Sequence, residues 1–245
     1  MQAMIFAAGL GTRLKPLTDT RPKALVEVAG RPLLEHVVMR LRDAGATRIV
    51  VNVHHFAGMV KDYLHANGNF GMDIRVSDES ERLLDTGGGI RKAAPLFDTT
   101  EPILIHNVDI LSNVDLRRFY EAGLDADATL LVSSRRTKRY LLFGRGGGPR
   151  RLCGWTNVET GEVRPPYAGI DPKECDMFAF SGIHLFSPRL FGCFDGMPDK
   201  FGIMDFYLDV CRRRDIRGYV KDDLRLMDVG KIDTLAEAEI FIKTI

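Results

Sequence analysis

The first apolar run of the chain begins at Ala3 and leads directly into Ala7-Ala8-Gly9-Leu10-Gly11-Thr12-Arg13-Leu14. Glycines at the end of a strand let backbone N–H groups approach phosphate oxygens with no Cβ in the way, which makes this segment a phosphate-loop candidate. A tight strand-to-helix turn would account for the two glycines equally well. Two other glycine loops are excluded. A Walker A loop needs a Gly-Lys-Ser/Thr ending. A dinucleotide fingerprint needs a third glycine where Leu14 stands and an acidic residue closing the second strand, which here ends Asn52-Val53-His54. Metal and thiol chemistry find less support. Cys153, Cys175, Cys193 and Cys211 form no close pair of the zinc or redox type. The adjacent His54-His55 has no helical metal spacing and reads as a loop start.

Downstream runs Lys15-Pro16-Leu17-Thr18-Asp19-Thr20-Arg21-Pro22-Lys23, continuing to Gly30-Arg31-Pro32. The whole stretch resembles the signature of the sugar-phosphate nucleotidyltransferases, a Gly-x-Gly-Thr-Arg loop followed about ten residues later by Pro-Lys, present here as Gly9–Arg13 and Pro22-Lys23. The resemblance extends over essentially the whole chain and is strongest at its start. It implies a reaction in which a sugar 1-phosphate oxygen attacks the α-phosphorus of a nucleoside triphosphate and pyrophosphate leaves. Negative charge then crowds into one small volume, so cations must converge there and no covalent nucleophile is required. Ala7, Ala8, Gly9, Gly11 and Thr12 would line the triphosphate. Arg13 would fork onto two of its oxygens, and Lys23 would supply a point charge between the α-phosphate and the sugar phosphate. Taken as residues alone, Lys23 after Pro22 also suits a solvated turn, and Arg13 a surface charge.

Triphosphate chemistry normally recruits Mg²⁺, which takes one or two carboxylates plus phosphate and water oxygens. The resemblance assigns them to Asp109, just past the run Ile103–Asn107, and to Asp228 in Met227-Asp228-Val229-Gly230. Here Val108 replaces the glycine of the family's usual Asn-Gly-Asp, and Asp109 by itself also reads as a residue that turns the chain. Asp115 and Asp233 read as helix N-terminal charges. The segment Leu84-Asp85-Thr86-Gly87-Gly88-Gly89-Ile90 stands where the family holds the nucleotide base, so Thr86, Gly87 and Gly88 are base-pocket candidates, with Glu81 just upstream. A helix N-cap at Asp85 or Thr86 is compatible with that role. For the acceptor, Phe180-Ser181-Gly182-Ile183 resembles the strand that carries a glycine against the sugar ring, which nominates Ser181 and Gly182. Asn157 offers a carboxamide to a hydroxyl or N-acetyl group. The family's Glu-Lys-Pro triplet is missing, and residues 156–160 occupy its place. Trp155 reads as either a hairpin-packing ring or a sugar platform.

Within the family, the missing triplet, the Asp85–Gly89 segment and the tail from Asp228 to Glu239 favour UTP and N-acetylmuramate 1-phosphate as substrates. Transfer from GTP to a mannose or heptose 1-phosphate is the alternative, because base choice rests on a few hydrogen bonds. A catalytically silent nucleotide-sensing subunit is a reading of another class, and the presence of Arg13, Lys23, Asp109 and Asp228 together argues against it. An NAD-linked dehydrogenase fails on the missing acidic residue. The chain contains no left-handed β-helix repeat, so a fused acetyltransferase is not expected.

Groups like these must be brought together by strand ends. Up to residue 135 short β-branched runs alternate with amphipathic stretches: Ala3–Ala7, Leu33–Ala44, Arg48–Val53, Val60–Ala66, Asp73–Ser77, Gly89–Leu96, Ile103–Asn107, Leu116–Ala122 and Ala128–Ser133. This is the pattern of a parallel sheet, with ligands gathered at the carboxyl ends of its strands. Ile49-Val50-Val51 and Ile103-Leu104-Ile105 are apolar without alternation, as strands covered on both faces require. Beyond Arg136 a hairpin is expected from Tyr140–Phe143 and Arg151–Trp155, with a disordered or flap-like glycine tip over Gly144–Gly148. A strand at Met177–Phe186, a helix at Phe206–Arg213, a strand at Ile216–Val220 and a helix at Thr234–Lys243 follow. The expected fold is α/β: a Rossmann-like, mostly parallel mixed sheet flanked by helices, with a small β-hairpin sugar-binding subregion. It forms one domain over 1–245, with a nucleotide-binding half (1–135) and a sugar-phosphate half (136–245).

The 245 residues, 45% hydrophobic and 27% charged, exclude disorder, collagen and coiled coil. With 34 basic against 33 acidic residues, neither nucleic acid nor an anionic membrane is expected as a partner, and any anion must be bound locally. The longest apolar runs reach about a third of a bilayer span, and no basic segment precedes the first one, so a cytoplasmic protein is expected. The resemblance implies a nucleoside triphosphate and a sugar 1-phosphate as its partners. Oligomeric state is not readable, although the hairpin and Phe191, Phe194 and Phe201 are interface candidates.

Overall fold

The computed structural model describes residues 1–146, 148–165 and 169–245. Its first half runs β1 (Gln2–Phe6), β2 (Glu27–Val28), β3 (Arg31–Pro32), α1 (Leu33–Asp43), β4 (Arg48–Val53), α2 (Ala57–Ala66), β5 (Asp73–Asp78), α3 (Asp85–Ala93), β6 (Ile103–Asn107), β7 (Ile110–Ser112), α4 (Leu116–Ala122) and β8 (Ala128–Ser133). The second continues with β9 (Arg139–Gly144), β10 (Leu152–Asn157), β11 (Glu162–Arg164), β12 (Cys175–Phe186), α5 (Ile203–Val210), β13 (Ile216–Val220), β14 (Leu226–Asp228) and α6 (Leu235–Phe241). The 144–148 tip includes Gly147, which lies outside the described residues.

The parallel half forms as its sequence requires. β1 pairs parallel with β4 on one side and β6 on the other, and β5 extends β4. These strands are buried on both faces. Ala3 and Ile5 of β1 share a core layer with Leu34, Val37 and Leu41 of α1, while Met4 belongs to the opposite layer with Ile90 of α3 and Phe206 of α5. In α1 the buried Leu33, Leu34, Val37, Val38 and Leu41 recur at helical spacing, and the helix stops before Gly45, whose φ is +96°.

The antiparallel insertion is larger than a hairpin. β12 lies between β6 and β8 and runs antiparallel to both, so the β6–α4–β8 connection skips one strand position. Its first half pairs instead with β9, which carries β10 and the short β11 as a side sheet. The pairing with β9 ends at Phe178, and the pairing with β8 that follows shifts register between Phe180 and His184, where Gly182 has φ +73°. One strand therefore joins the parallel half to the side sheet.

Three helices start earlier than their periodicity suggested, α2 among them at Ala57 rather than Val60. α3 begins at Asp85 rather than Gly89, so Gly87, Gly88 and Gly89 lie inside a helix that ordinarily disfavours them. Close packing is the reason. A Cβ at Gly87 would fall 2.2 Å from the Phe201 ring, one at Gly88 2.6 Å from the Asp199 carbonyl, and one at Gly89 2.9 Å from the Glu79 carboxylate. α5 starts at Ile203, whose N–H donates to Thr86 Oγ1. Phe194 and Phe201 are not interface residues: both are buried and pack with Phe206, and Phe194 also stacks on Phe186. Among the described residues no helix is long and apolar enough to cross a membrane.

His106 of β6 and His184 of β12 are fully enclosed, and burial pushes each imidazole down to about 3. They stay neutral in the folded chain where the unfolded chain protonates them. From about pH 6.5 down toward 3 the unfolded state therefore binds more protons, and stability falls as the pH is lowered through that window. Urea unfolding at pH 7.5 and 5.5 is expected to show a loss of about 1 kcal/mol per imidazole from these groups. The His184→Gln variant should lose less stability between the two pH values than the unaltered protein, whatever its absolute stability. An identical pH decrement would contradict the assignment.

Candidate active site

The carboxyl ends of β1, β4, β5 and β6 open into one cleft of about 310 Å³, whose lining includes Ala7, Ala8, Gly9, Lys23, Asn52, Glu79, Thr86, Asn107 and Asp109. The phosphate-loop candidates therefore do sit beside the residues that follow β6. Gly11, at φ +65°, explains the spacing between the loop and Pro22-Lys23. A Cβ there would lie 2.8 Å from Thr18 Cγ2 and 3.0 Å from Lys23 Cβ, and Thr18 Oγ1 donates to the Gly11 carbonyl at 2.8 Å. The intervening residues fold back as short turns against the glycine loop.

Lys23 is not a solvated turn lysine. Its side chain is only 10% exposed, and Nζ donates to Asp109 Oδ2. Val108 fits its position because it is buried in the α1-side core layer, with its N–H donating to the Phe6 carbonyl. Asp228 arrives from the far end of the chain on the two-stranded ribbon of β14 with β7. It pairs opposite Ile110, and the Val229 N–H donates to the Asp109 carbonyl at 2.8 Å. Burial first, then the Asp109 charge, push the Asp228 carboxyl above its ordinary value, opposed by Lys23, Arg13 and Arg135. The Arg13 guanidinium lies 3.9 Å from Asp228 and is more than half exposed. Both cross Gly230, where a Cβ would be 2.6 Å from Asp228 Oδ1 and 2.7 Å from Arg13 Nη2.

Of the base-pocket candidates, Thr86 reaches the cleft wall. Gly87 and Gly88 are turned away from it, and their N–H groups donate to the Phe201 carbonyl at 2.9 and 3.3 Å. The acidic residues at this wall are Glu79 and Asp85, while Glu81 is exposed. Glu79 is wholly buried at the end of β5, where it accepts from Asn52 Nδ2 and the Leu84 N–H, and Asn52 Oδ1 in turn accepts from the Ala7 N–H. Burial raises its carboxyl above the ordinary range. This chain of bonds ties the phosphate loop to the segment before α3. Sequence reasoning passed over Glu79, although a Glu directly after a strand-like run was its available signal. Lys200, also in the cleft lining, gave no such signal.

A second cleft of about 400 Å³ lies on the side sheet, lined in part by Arg135, Arg139, Trp155, Arg164, Phe180 and Asp205. Trp155 carries the Arg164 guanidinium 5.0 Å above its ring. The acceptor candidates are less united. Gly182 packs against Asn107, where an added Cβ would fall 2.9 Å from Nδ2, and so touches the first cleft's wall. Ser181 is buried beside it. Asn157 stands at the outer end of β10, where its Oδ1 accepts from the Glu159 N–H and caps the turn to β11.

A mixed α/β sheet with cations and two carboxylates gathered at its strand ends defines a protein built to handle phosphate groups. Residues 2–144 match the nucleotidyl transferase family. Across 240 residues the chain is 41% identical to N-acetylmuramate alpha-1-phosphate uridylyltransferase of Neisseria meningitidis serogroup B (strain ATCC BAA-335 / MC58), spanning 98% of this chain and 97% of that one. The protein of the same name from Caulobacter vibrioides (strain ATCC 19089 / CIP 103742 / CB 15) is 49% identical over 109 residues, 44% of this chain and 45% of that one. In architecture the chain is similar to UDP-glucose pyrophosphorylase solved with UDP-glucose, with a TM-score of 0.77 at 17% identity, over 100% of this chain and 99% of the other. The chain belongs to the nucleotidyl transferase family, as a sugar 1-phosphate nucleotidyltransferase.

Gly230 holds Arg13 and Asp228 in register, so Gly230→Ala should displace one of them. A misplacement of this kind is expected to lower kcat/KM about 100-fold while thermal unfolding moves by only a few degrees. Full activity in a folded Gly230→Ala protein would show that the Arg13–Asp228 arrangement is dispensable.

Proposed function

We propose that this protein transfers a uridylyl group from UTP to N-acetylmuramate 1-phosphate, releasing pyrophosphate. The observation that carries the reading is the Lys23–Asp109 pair in the cleft lining with Asp228 and Arg13 gathered beside Asp109, in a chain similar along its length to a uridylyltransferase of that specificity.

In the proposed mechanism the triphosphate lies along Ala7–Thr12, where Gly9 leaves open space with no atom within 4 Å of an added Cβ. Arg13 is exposed and able to fork onto its oxygens. Lys23 is already fixed by its carboxylate partner, and it stabilises the charge that builds between the α-phosphate and the incoming sugar phosphate without reorganising at the moment of reaction. The acceptor phosphate oxygen attacks the α-phosphorus in line. No side chain is required as a covalent carrier.

The two carboxylates fit a Mg²⁺ ion. They approach closely enough for the charge of Asp109 to disfavour ionisation of Asp228, a repulsion that a cation between them would relieve. Among the described residues no group of three or more His, Cys, Asp and Glu is placed to hold a metal, so the remaining ligands would be phosphate and water oxygens, as Mg²⁺ prefers. When bound there, the ion would neutralise charge on the reacting phosphates. Asp109 and Asp228 would hold it.

A pyrophosphate-release assay over ATP, GTP, CTP, UTP and dTTP with several sugar 1-phosphates tests the reading. Release is expected with UTP and N-acetylmuramate 1-phosphate, lost on chelation and restored by Mg²⁺. Asp228→Asn should fold normally and lose about 100-fold or more in kcat. Release only with GTP and a mannose or heptose 1-phosphate would overturn the substrate assignment. Nucleotide binding without release under any combination would indicate a sensing subunit.

A further inference from the structure

The glycines of α3 admit the segment that leads into α5, and that segment is fixed from several directions. A Cβ at Gly87 would strike the Phe201 ring and one at Gly88 the Asp199 carbonyl. The Phe201 carbonyl accepts from the Gly87 and Gly88 N–H groups, its own N–H donates to the Leu84 carbonyl at 3.3 Å, and the Ile203 N–H donates to Thr86 Oγ1 at 2.9 Å. Asp199 pairs with Arg82 at 2.6 Å and Arg91 at 3.4 Å, and Arg91 also donates to the carbonyls of Met197 and Pro198. Glycine is destabilising in a helix interior. What α3 gains in exchange is an arch of fixed backbone over residues 197–203.

Between the anchored Asp199 and Phe201 stands Lys200. It is exposed, and it lines the 310 Å³ cleft together with Lys23 and Asp109. Lys23 is held by Asp109, whereas Lys200 makes no ion pair among the described residues. The two ammonium groups also reach the cleft from opposite sides of the sheet. The glycine loop, Arg13, Lys23, Asp109 and Asp228 each adjoin a residue of the α1-side core layer, namely Ala7, Leu14, Ala24, Val108 and Val229. Phe201 and Ile203, on the arch with Lys200, belong to the layer of Ile90 and Phe206.

In-line transfer places the entering and leaving groups on opposite sides of the α-phosphorus. With the triphosphate along the glycine loop and Arg13 on its outgoing oxygens, the entering phosphate faces the other layer. An anion brought there needs a cation that no carboxylate already holds. We propose that Lys200 is the ligand of the acceptor phosphate: its ammonium donates to the phosphate oxygens of the sugar 1-phosphate from the α3–α5 side, and the glycines of α3 place it there. The proposal rests on the reading of the chain as a sugar 1-phosphate nucleotidyltransferase and deepens it by naming the residue that receives the acceptor. A point charge on a flexible stem suits a phosphate that moves toward the α-phosphorus during attack.

The test uses the full chain with Mg²⁺, UTP and N-acetylmuramate 1-phosphate, and reads KM for each substrate with the other saturating. Lys200→Gln removes the charge and keeps most of the length. It should raise KM for the acceptor at least about 10-fold and leave KM for UTP unchanged. Equilibrium binding of UTP without acceptor should stay as in the unaltered protein, and so should thermal unfolding, since Lys200 is exposed. Lys200→Arg should recover part of the acceptor affinity, because it keeps a positive charge with a different donor geometry. Lys173→Gln, at an exposed lysine that lines neither cleft, serves as control and should change nothing. An unchanged acceptor KM in Lys200→Gln overturns the proposal. So does a rise in KM for UTP as large as that for the acceptor, which would put Lys200 on the nucleotide. Either result leaves the proposed reaction standing, because the unaltered protein still releases pyrophosphate. No release by the unaltered protein overturns the underlying reading and this proposal with it.

Discussion

Lys23 and Asp109 stand 86 residues apart in the chain and meet as one largely enclosed ion pair at the mouth of the parallel sheet. A pair this desolvated is a weak source of stability, because the cost of removing both charges from water consumes most of their attraction. Its value lies in position. In the proposed reaction, an ammonium held in advance does not have to be recruited or reoriented as phosphate charge gathers. The carboxylate that holds it lies beside that of Asp228, so a fixed positive charge and two carboxylates share one small volume. Phosphate and a divalent cation complement that combination.

Much of the surrounding structure serves this arrangement. Gly11 allows the glycine loop and the Lys23 turn to touch. The ribbon of β7 and β14 brings Asp228 beside Asp109 through backbone bonds, so the second carboxylate does not depend on a flexible loop. Gly230 clears the space in which Arg13 crosses Asp228. On the other wall the buried Glu79 links Asn52, and through it the phosphate loop, to the start of α3. β12 then carries the frame into the side sheet, where Trp155 and the arginines lie.

The parallel half was legible because a strand covered on both faces is apolar throughout, as Ile49-Val50-Val51 and Ile103-Leu104-Ile105 are. Arg13, Lys23, Asp109 and Asp228 were legible through family resemblance, and the structure brings them together. The three-residue strands β7 and β14 were not, since so short a run has no periodicity and gains its pairing only from tertiary contact. The early start of α3 was hidden for a related reason. Its three glycines argue against a helix locally, and only Phe201, Asp199 and Glu79, arriving from elsewhere, make them necessary. Asn157 has the chemistry of a sugar ligand, yet local geometry binds its carboxamide to Glu159. The arginine cleft draws its residues from β9, β10, β11, β12, α5 and the segment between β8 and β9, a grouping that no linear motif records.

In the proposed mechanism prepositioned charge suffices for a single direct transfer at phosphorus, with no covalent carrier on the protein. Stereochemistry at the reacting atom tests it most directly. A nucleoside triphosphate made chiral at the α-phosphorus by sulfur substitution would be turned over with a sugar 1-phosphate, and the configuration of the nucleotide-sugar product determined. One in-line displacement predicts inversion. Retention would require two displacements through a nucleotidyl–protein intermediate, and would contradict the account.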